Sequence, residues 1–174
     1  KSNLLGALLV TQFQLAAMSR SDVPQSKRRD FRLFVDEFQS FTSDSFASIL
    51  SEARKYRLSL ILAHQYFEQV RPEIRHAVLG NVGSLIAFRV GQTDAELLER
   101  EFGAEYPSAR FTGLDNHQVL LKLVINGGQC APFAGKTVPS TAKRHGHQET
   151  VILKSREQYS TERAIVGNRI RRWL

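Results

Sequence analysis

Phe31-Arg32-Leu33-Phe34-Val35-Asp36-Glu37-Phe38 places four apolar residues out of five directly before a pair of carboxylates. Apolar, β-prone side chains at 31, 33, 34 and 35 describe a strand buried on both faces. Asp36 and Glu37 then stand at its carboxyl end, and Ser40, Ser43 and Asp44 offer starts for a helix. Taken alone, the pattern also fits a buried strand that merely ends in an acidic turn. The neighbouring segments have to decide between the two.

Downstream, residues 43–57 carry Phe46, Ile49, Leu50 and Ala53 at i, i+3, i+4 and i+7, the single apolar stripe of an amphipathic helix. Arg54 falls on the flank of that stripe. Arg54, Lys55 and Arg57 crowd the last turn, where cations complement the helix dipole. Residues 58–63 read as a second buried strand, with His64-Gln65 just past its end. A helix follows over 66–79, in which Pro72 suits a first-turn position. Gly80-Asn81-Val82-Gly83 is a turn. Residues 84–90 form a third apolar strand with Arg89 near its end, and residues 94–102 a third helix stopped by Gly103. Strands alternating with helices in this way predict an α/β fold with a mostly parallel, doubly wound sheet. Ligands of such sheets bind beyond the carboxyl ends of the strands. Asp36, Glu37, Gln65 and Arg89 are all expected there, so one crevice could gather them.

Upstream, residues 3–20 form a helix with a broad apolar face (Leu4, Leu5, Leu8, Leu9, Phe13, Leu15, Ala16, Met18), read as a core helix. Lys1-Ser2 matches the last two residues of a phosphate loop, but that apolar start argues against the reading. Residues 21–30, with Pro24 and Lys27-Arg28-Arg29, are expected to be an exposed linker. Past an irregular connection over 104–117, residues 117–125 and 131–133 flank Asn126-Gly127-Gly128, a hairpin signal that adds an antiparallel pair at the sheet edge. Residues 136–149 read as a polar linker, in which His145 and His147 have no partner cluster for metal binding. Ser155-x-x-Gln158 is a capping-box pattern, and Tyr159, Val166, Ile170 and Trp173 follow at roughly helical spacing, weakened by Gly167.

The 174 residues suffice for one domain with a terminal appendage, expected as residues 1–135 and 136–174. Composition is that of a globular protein, with 42% hydrophobic and 24% charged residues, and no apolar run approaches the ~20 residues of a membrane span. A single cysteine, Cys130, excludes an internal disulfide and a cysteine-based zinc site. The net charge of +7 is uneven: residues 136–174 hold 9 basic against 3 acidic side chains. A basic tail of this kind is either simply solvated or a contact for nucleic acid or an anionic surface. Lysine at position 1 suggests a fragment of a longer protein.

The hydrophobic run ending in Asp36-Glu37 matches the Walker B pattern of P-loop NTPases. In that chemistry Asp36 accepts hydrogen bonds from waters on Mg²⁺, and Glu37 orients the water that attacks the γ-phosphate. Four segments in order then resemble one group: 33–38 (Leu-Phe-Val-Asp-Glu-Phe), 50–56 (Leu-Ser-Glu-Ala-Arg-Lys-Tyr), Ala63-His64-Gln65, and Gly80-Asn81-Val82-Gly83 leading into 86–90. Over about residues 3–135 they resemble the ATPase domain of the HerA–FtsK superfamily. Within it they are most similar to type IV secretion and conjugative DNA-transfer coupling proteins of the TraD/TraG kind. Residues 155–159 resemble a tail element of such proteins, less specifically.

The resemblance implies the C-terminal part of a RecA-like P-loop NTPase core with an added hairpin and a helical tail. It implies an ATP- and Mg²⁺-dependent, DNA-translocating motor that works as a homo-oligomer, in this group a hexamer. Relaxase and secretion-channel proteins would be partners. The expected location is the cytoplasm or the cytoplasmic face of the inner membrane, with membrane contact only through upstream residues. Residue by residue, Asp36 matches the Mg²⁺-side aspartate, Glu37 the catalytic glutamate, and Gln65 the residue that senses the γ-phosphate. Arg54 matches the arginine that reaches a neighbouring subunit's nucleotide, with Arg57 and Arg89 as alternatives. The departure is the missing Gly-rich phosphate loop, so residues 1–174 alone are expected to be inactive. Competing readings are a cytosolic HerA-like repair or packaging motor and a non-catalytic interaction or DNA-binding module.

Overall fold

Strand β1 (Phe31–Val35) lies parallel to β2 (Leu58–Leu62), in a register that runs from Phe31 opposite Leu58 to Val35 opposite Leu62. Among the described residues this pair is a two-stranded parallel sheet of its own. In the computed structural model, which describes residues 2–42, 44–139 and 146–173, the chain divides into two compact units, Lys1–Val138 and Pro139–Leu174. Both β strands belong to the first. Ser43, Lys1 and His145, which the sequence reading used, lie outside the described residues.

The crossover from β1 to β2 is a 3₁₀ turn (Phe38–Phe41), helix α2 (Asp44–Glu52) and a second 3₁₀ turn (Ala53–Tyr56). The expected stripe is buried: Phe46, Ile49 and Ala53 are inside, with Leu50 packed against them. They meet Val35, Phe38, Leu58, Phe67, Val70, Ile74 and Val78 in one core. The helix stops short of residue 57 because its last turn tightens to 3₁₀ and Arg57 turns left-handed at φ 55°. Next comes α3 (Pro72–Asn81), with Pro72 in its first turn, where the missing N–H loses no bond. Strand β3 (Leu85–Ala87) and helix α4 (Gln92–Phe102) complete the alternating part, and Gly103 at φ 93° ends α4.

The expectation of a mostly parallel sheet is corrected here. β3 does not join β1 and β2; it pairs antiparallel with β4 (Gln118–Lys122), which pairs antiparallel with β7 (Phe133–Lys136). The short α5 (Ser108–Thr112) sits in the connection before β4. Between β4 and β7, β5 (Val124–Ile125) and β6 (Gly128–Gln129) form the hairpin that Asn126-Gly127 signals. Asn126 (φ 52°) and Gly127 (φ 80°) both take the positive φ that a type I′ turn requires. A second core gathers Phe102, Tyr106, Phe111, Leu114 and Leu120 beneath this sheet.

Two further expectations change. Helix α1 (Ser2–Met18) exposes Leu4, Leu5, Leu8 and Leu9 by half or more, and among its described side chains only Ala17 is buried. It packs instead on the turn after β1: a Cβ on Gly6 would lie 2.2 Å from the Phe41 ring. β1 is likewise not buried on both faces, for Phe34 is 71% exposed, while Phe31 stacks on Phe13 of α1 at 5.6 Å. The linker over 21–30 is pinned to the fold. Arg28 donates to the carbonyls of Ser21, Val23 and Lys55 and lies over the Tyr56 ring, and Arg20 donates to the carbonyls of Arg29 and Tyr56.

In the second unit, α6 (Gln148–Tyr159) and α7 (Arg163–Arg171) bury no residue. His147 stands at the N-cap of α6. Among the described residues no helix is long and apolar enough to cross a membrane.

Candidate functional site

The end of β1 fixes the two carboxylates through backbone geometry. After Val35 the chain folds back so that Phe38 N–H donates to the Ala63 carbonyl at the end of β2 (3.1 Å), and the Phe38 ring is fully buried against Phe46. To make that reversal Glu37 takes the left-handed conformation, φ 51° and ψ 45°, which costs a non-glycine residue about 1–2 kcal/mol. Asp36 caps the same reversal: its Oδ1 accepts the Glu37 N–H at 3.0 Å.

Both oxygens of Glu37 are held by amides. Gln65 Nε2 donates to Oε1 at 2.5 Å and Gln39 Nε2 to Oε2 at 2.6 Å. β2 thus brings Gln65 to the carboxylate that β1 delivers, while Gln39 comes from the 3₁₀ turn. The other amide atom of Gln39, Oε1, is buried with no hydrogen-bond partner. His64 meets Phe38 edge-on at 5.3 Å and Phe67 at 4.8 Å. Burial against these rings lowers its pKa, and the negative charges of Asp94 and Glu37 oppose that shift without cancelling it. Asp94, in the first turn of α4, accepts the Phe67 N–H at 3.0 Å and so ties the residues after β2 to the helix after β3.

Of the residues singled out from sequence, Asp36, Glu37 and Gln65 therefore meet at the carboxyl ends of β1 and β2. Arg54 and Arg57 do not: they precede β2, at the opposite end of the strands. There Arg57 pairs with Asp30 at 3.1 Å and donates to the Gln25 carbonyl. Arg54 is exposed, and Arg89 is exposed after β3. Sequence reasoning missed Gln39 and Asp94 and gave His64 no role. Asp94 reads as an ordinary acidic first-turn residue, so only the spatial contact with Phe67 singles it out.

Chemically, the arrangement is a carboxylate with each oxygen accepting from a neutral amide, which fixes its orientation. Each oxygen keeps a further acceptor site to which a water can donate beside the amide. Among the described residues no group of three or more His, Cys, Asp or Glu side chains could hold a metal ion. Gly135-Lys136-Thr137 spells the end of a phosphate loop, but Gly135 and Lys136 lie in β7, paired with Val119 and Gln118 of β4. Gly135 serves packing there, since a Cβ would sit 2.9 Å from Leu121. Among the described residues no helix starts directly after Thr137 to receive a phosphate; the next, α6, begins at Gln148.

No protein-family model and no curated protein matches the sequence. Solved structures do. The plasmid coupling protein TrwB in complex with the non-hydrolysable ATP analogue ADPNP matches 76% of this chain with a TM-score of 0.59 at 17% identity. TrwB in complex with ADP and Mg²⁺ matches 74% at 0.56 and 18% identity. The unbound bacterial conjugative coupling protein TrwBdeltaN70 matches 69% at 0.55 and 16% identity. The chain spans about a third of the length of these structures (34–36%). At such identities the likeness concerns the fold. Over about seven tenths to three quarters of its length the chain thus shares the fold of conjugative coupling-protein structures, in keeping with the HerA–FtsK resemblance of the four sequence segments.

Proposed function

We propose that residues 1–174 are the carboxylate-bearing part of an ATP-driven DNA-translocating motor of the conjugative, type IV secretion coupling kind. The observation that carries the reading is the Glu37 carboxylate at the end of β1, held between Gln65 and Gln39. Its support from outside the chain is a fold shared with structures solved with an ATP analogue and with ADP and Mg²⁺.

Bound ATP would supply the phosphoryl group, and Mg²⁺ the charge that neutralises it. Asp36, exposed at the strand end, would hold Mg²⁺ through water, as fits a metal that keeps most of its waters and leans on phosphate oxygens. Glu37 would orient a water and accept its proton at Oε1 once Gln65 lets go. Gln65 would then be free to hydrogen-bond a γ-phosphate, which couples nucleotide state to the freedom of the carboxylate. Arg54 lies at the far end of β2 from Glu37, a position that fits a contact with a neighbouring subunit's nucleotide in a homo-oligomeric ring; Arg57 is less suited because Asp30 engages it. The phosphate cradle comes from residues outside 1–174. The basic second unit is the DNA-facing candidate. Relaxase and channel partners, and placement at the cytoplasmic membrane face, follow from this reading.

The test is Glu37→Gln in the longer polypeptide. ATP binding should persist while steady-state turnover is lost, because the metal side of the site survives and only the water-orienting carboxylate is gone. Turnover within a few-fold of the parent would refute the assignment.

A further inference from the structure

Gln39 carries, among the described residues, the one buried side-chain polar atom without a hydrogen-bond partner, its Oε1. A buried acceptor left unpaired is unfavourable. Methionine has nearly the same length and shape and carries no such atom. Turning the amide over gives no relief, since Oε1 would then face Glu37 Oε2, acceptor against acceptor. Packing therefore does not account for glutamine at this position. The bond from its Nε2 to Glu37 Oε2, at 2.6 Å, does.

The two amides on Glu37 are mounted differently. Gln39 is half-buried in the 3₁₀ turn Phe38–Phe41. Before it, Phe38 is fully buried with its N–H on the Ala63 carbonyl, and after it the Phe41 ring packs against Gly6 of α1. Ser40 N–H donates to the Glu37 carbonyl at 3.0 Å and the Thr42 hydroxyl to the Gln39 carbonyl at 3.1 Å, which closes the turn around the residue. Gln65, by contrast, is exposed, in the irregular stretch between β2 and the 3₁₀ turn Phe67–Gln69. A side chain on exposed, irregular backbone can leave its partner readily; one in a turn pinned on both sides is held in place.

We propose that Gln39 is the positioning residue of Glu37, a fixed anchor on Oε2 that keeps the carboxylate aimed after Gln65 has left Oε1. This rests on the ATPase reading, in which Gln65 turns to the γ-phosphate. With Gln39 in place, Glu37 passes from two restraints to one. Without it, Glu37 passes from one to none, and the carboxylate turns to other rotamers at the moment a water has to be oriented. Misplacing a reacting group by about 1 Å is worth about 100-fold in rate. Loss of the anchor acts on turnover and not on nucleotide affinity, because the bond it removes is to Glu37 alone.

Two measurements on the longer polypeptide that contains residues 1–174 decide the matter. In steady-state kinetics Gln39→Met should lower kcat by about 10–100-fold while KM for ATP stays within about twofold. Gln39→Glu, which keeps the shape but sets a second carboxylate against the first, should lose at least as much. Placed on Glu37→Gln, Gln39→Met should lower turnover no further, since no carboxylate is left to aim. An unchanged kcat in both Gln39 variants, or a KM that rises by as much as kcat falls, would overturn the proposal. The second measurement needs no turnover: nitrogen-15 NMR of the side-chain amides, assigned through Gln39→Met and Gln65→Met. In Gln65→Met, which imitates the departure of Gln65, the Gln39 amide should keep its parent shift and its slow exchange with solvent. It should lose both in Glu37→Ala. A Gln39 amide set free by Gln65→Met would overturn the proposal even in a polypeptide that hydrolyses ATP. One that stays bound in a polypeptide without turnover would support the anchor and count against the ATPase reading alone.

Discussion

Gly6→Ala should destabilise the first unit even though it improves helix propensity. Gly6 lies inside α1, where alanine would ordinarily be favoured by about 0.8–1 kcal/mol. The local geometry reverses the sign. A Cβ there would stand 2.2 Å from both Cδ1 and Cε1 of Phe41 and 3.1 Å from Cζ. Carbon atoms settle at about 3.5–4.0 Å, so the ring would have to retreat by roughly 1.5 Å. Forced repacking of that kind costs about 1–3 kcal/mol, which leaves a net loss of about 1 kcal/mol. Phe41 closes the 3₁₀ turn that follows Glu37, so the displacement should also be felt at the Gln39 amide. Gly80 in α3 provides the contrast: nothing lies within 4 Å of its would-be Cβ, and Gly80→Ala should stabilise by up to about 1 kcal/mol. Urea unfolding followed by far-UV circular dichroism measures both. If Gly6→Ala is as stable as the parent or better, the close approach of α1 to Phe41 is refuted.

At the reversal itself, Glu37→Gly should be more stable than Glu37→Ala by about 0.5–1 kcal/mol in the same urea experiment, since both lose the carboxylate but only glycine accepts φ 51° without strain. His64 makes stability pH-dependent with a defined sign. Its folded pKa lies below the usual 6.5, so the unfolded chain binds more protons as pH falls through that value. Stability is lost on acidification and levels off below the folded pKa. His64→Asn should flatten this slope in unfolding midpoints taken between about pH 5 and 8. DNA binding by residues 1–174, followed by fluorescence anisotropy, should weaken steeply with salt and fall most on replacing Arg163, Arg169 and Arg171 of α7. An effect no larger than that of replacing Arg89 would count against the second unit as the DNA-facing part.

Much of the local structure was legible because burial leaves a period. The stripe of Phe46, Ile49 and Ala53, Pro72 at a helix start and Asn126-Gly127 at a hairpin all behave as their chemistry requires. The rule that parallel strands gather their carboxyl ends grouped Asp36, Glu37, Gln65 and Arg89; the first three lie together, whereas Arg89 follows β3, which pairs with β4 and not with β2. Gln39 escaped because a polar residue two positions after Glu37 carries no periodic signal; only a 3₁₀ turn folds it back onto the carboxylate. The sheet was misjudged because an apolar run shows that a strand is buried but not which strand lies beside it. Leu85–Ala87 forms the expected strand without reaching β2, and of its three residues only Ala87 is buried. The leucines of α1 mislead in the same way, since hydrophobicity states what would prefer cover and not whether cover is at hand. Arg28 went unnoticed because its bonds are to carbonyls, and a carbonyl has no identity in a sequence.

The left-handed backbone at Glu37 also bears on how this site would age. Glycine or asparagine would hold the same reversal more comfortably than glutamate. Drift to glycine at position 37 is thus helped by the backbone and opposed only by the loss of the Gln39 and Gln65 hydrogen bonds. Silent descendants of this chain should keep the strand, the buried Phe38 and the Gln65 amide while the acid disappears. In such a descendant relief of the backbone and loss of chemistry would arrive in one substitution. A glutamate that persists at this position does so against the grain of the backbone, which marks the carboxylate itself as the thing retained.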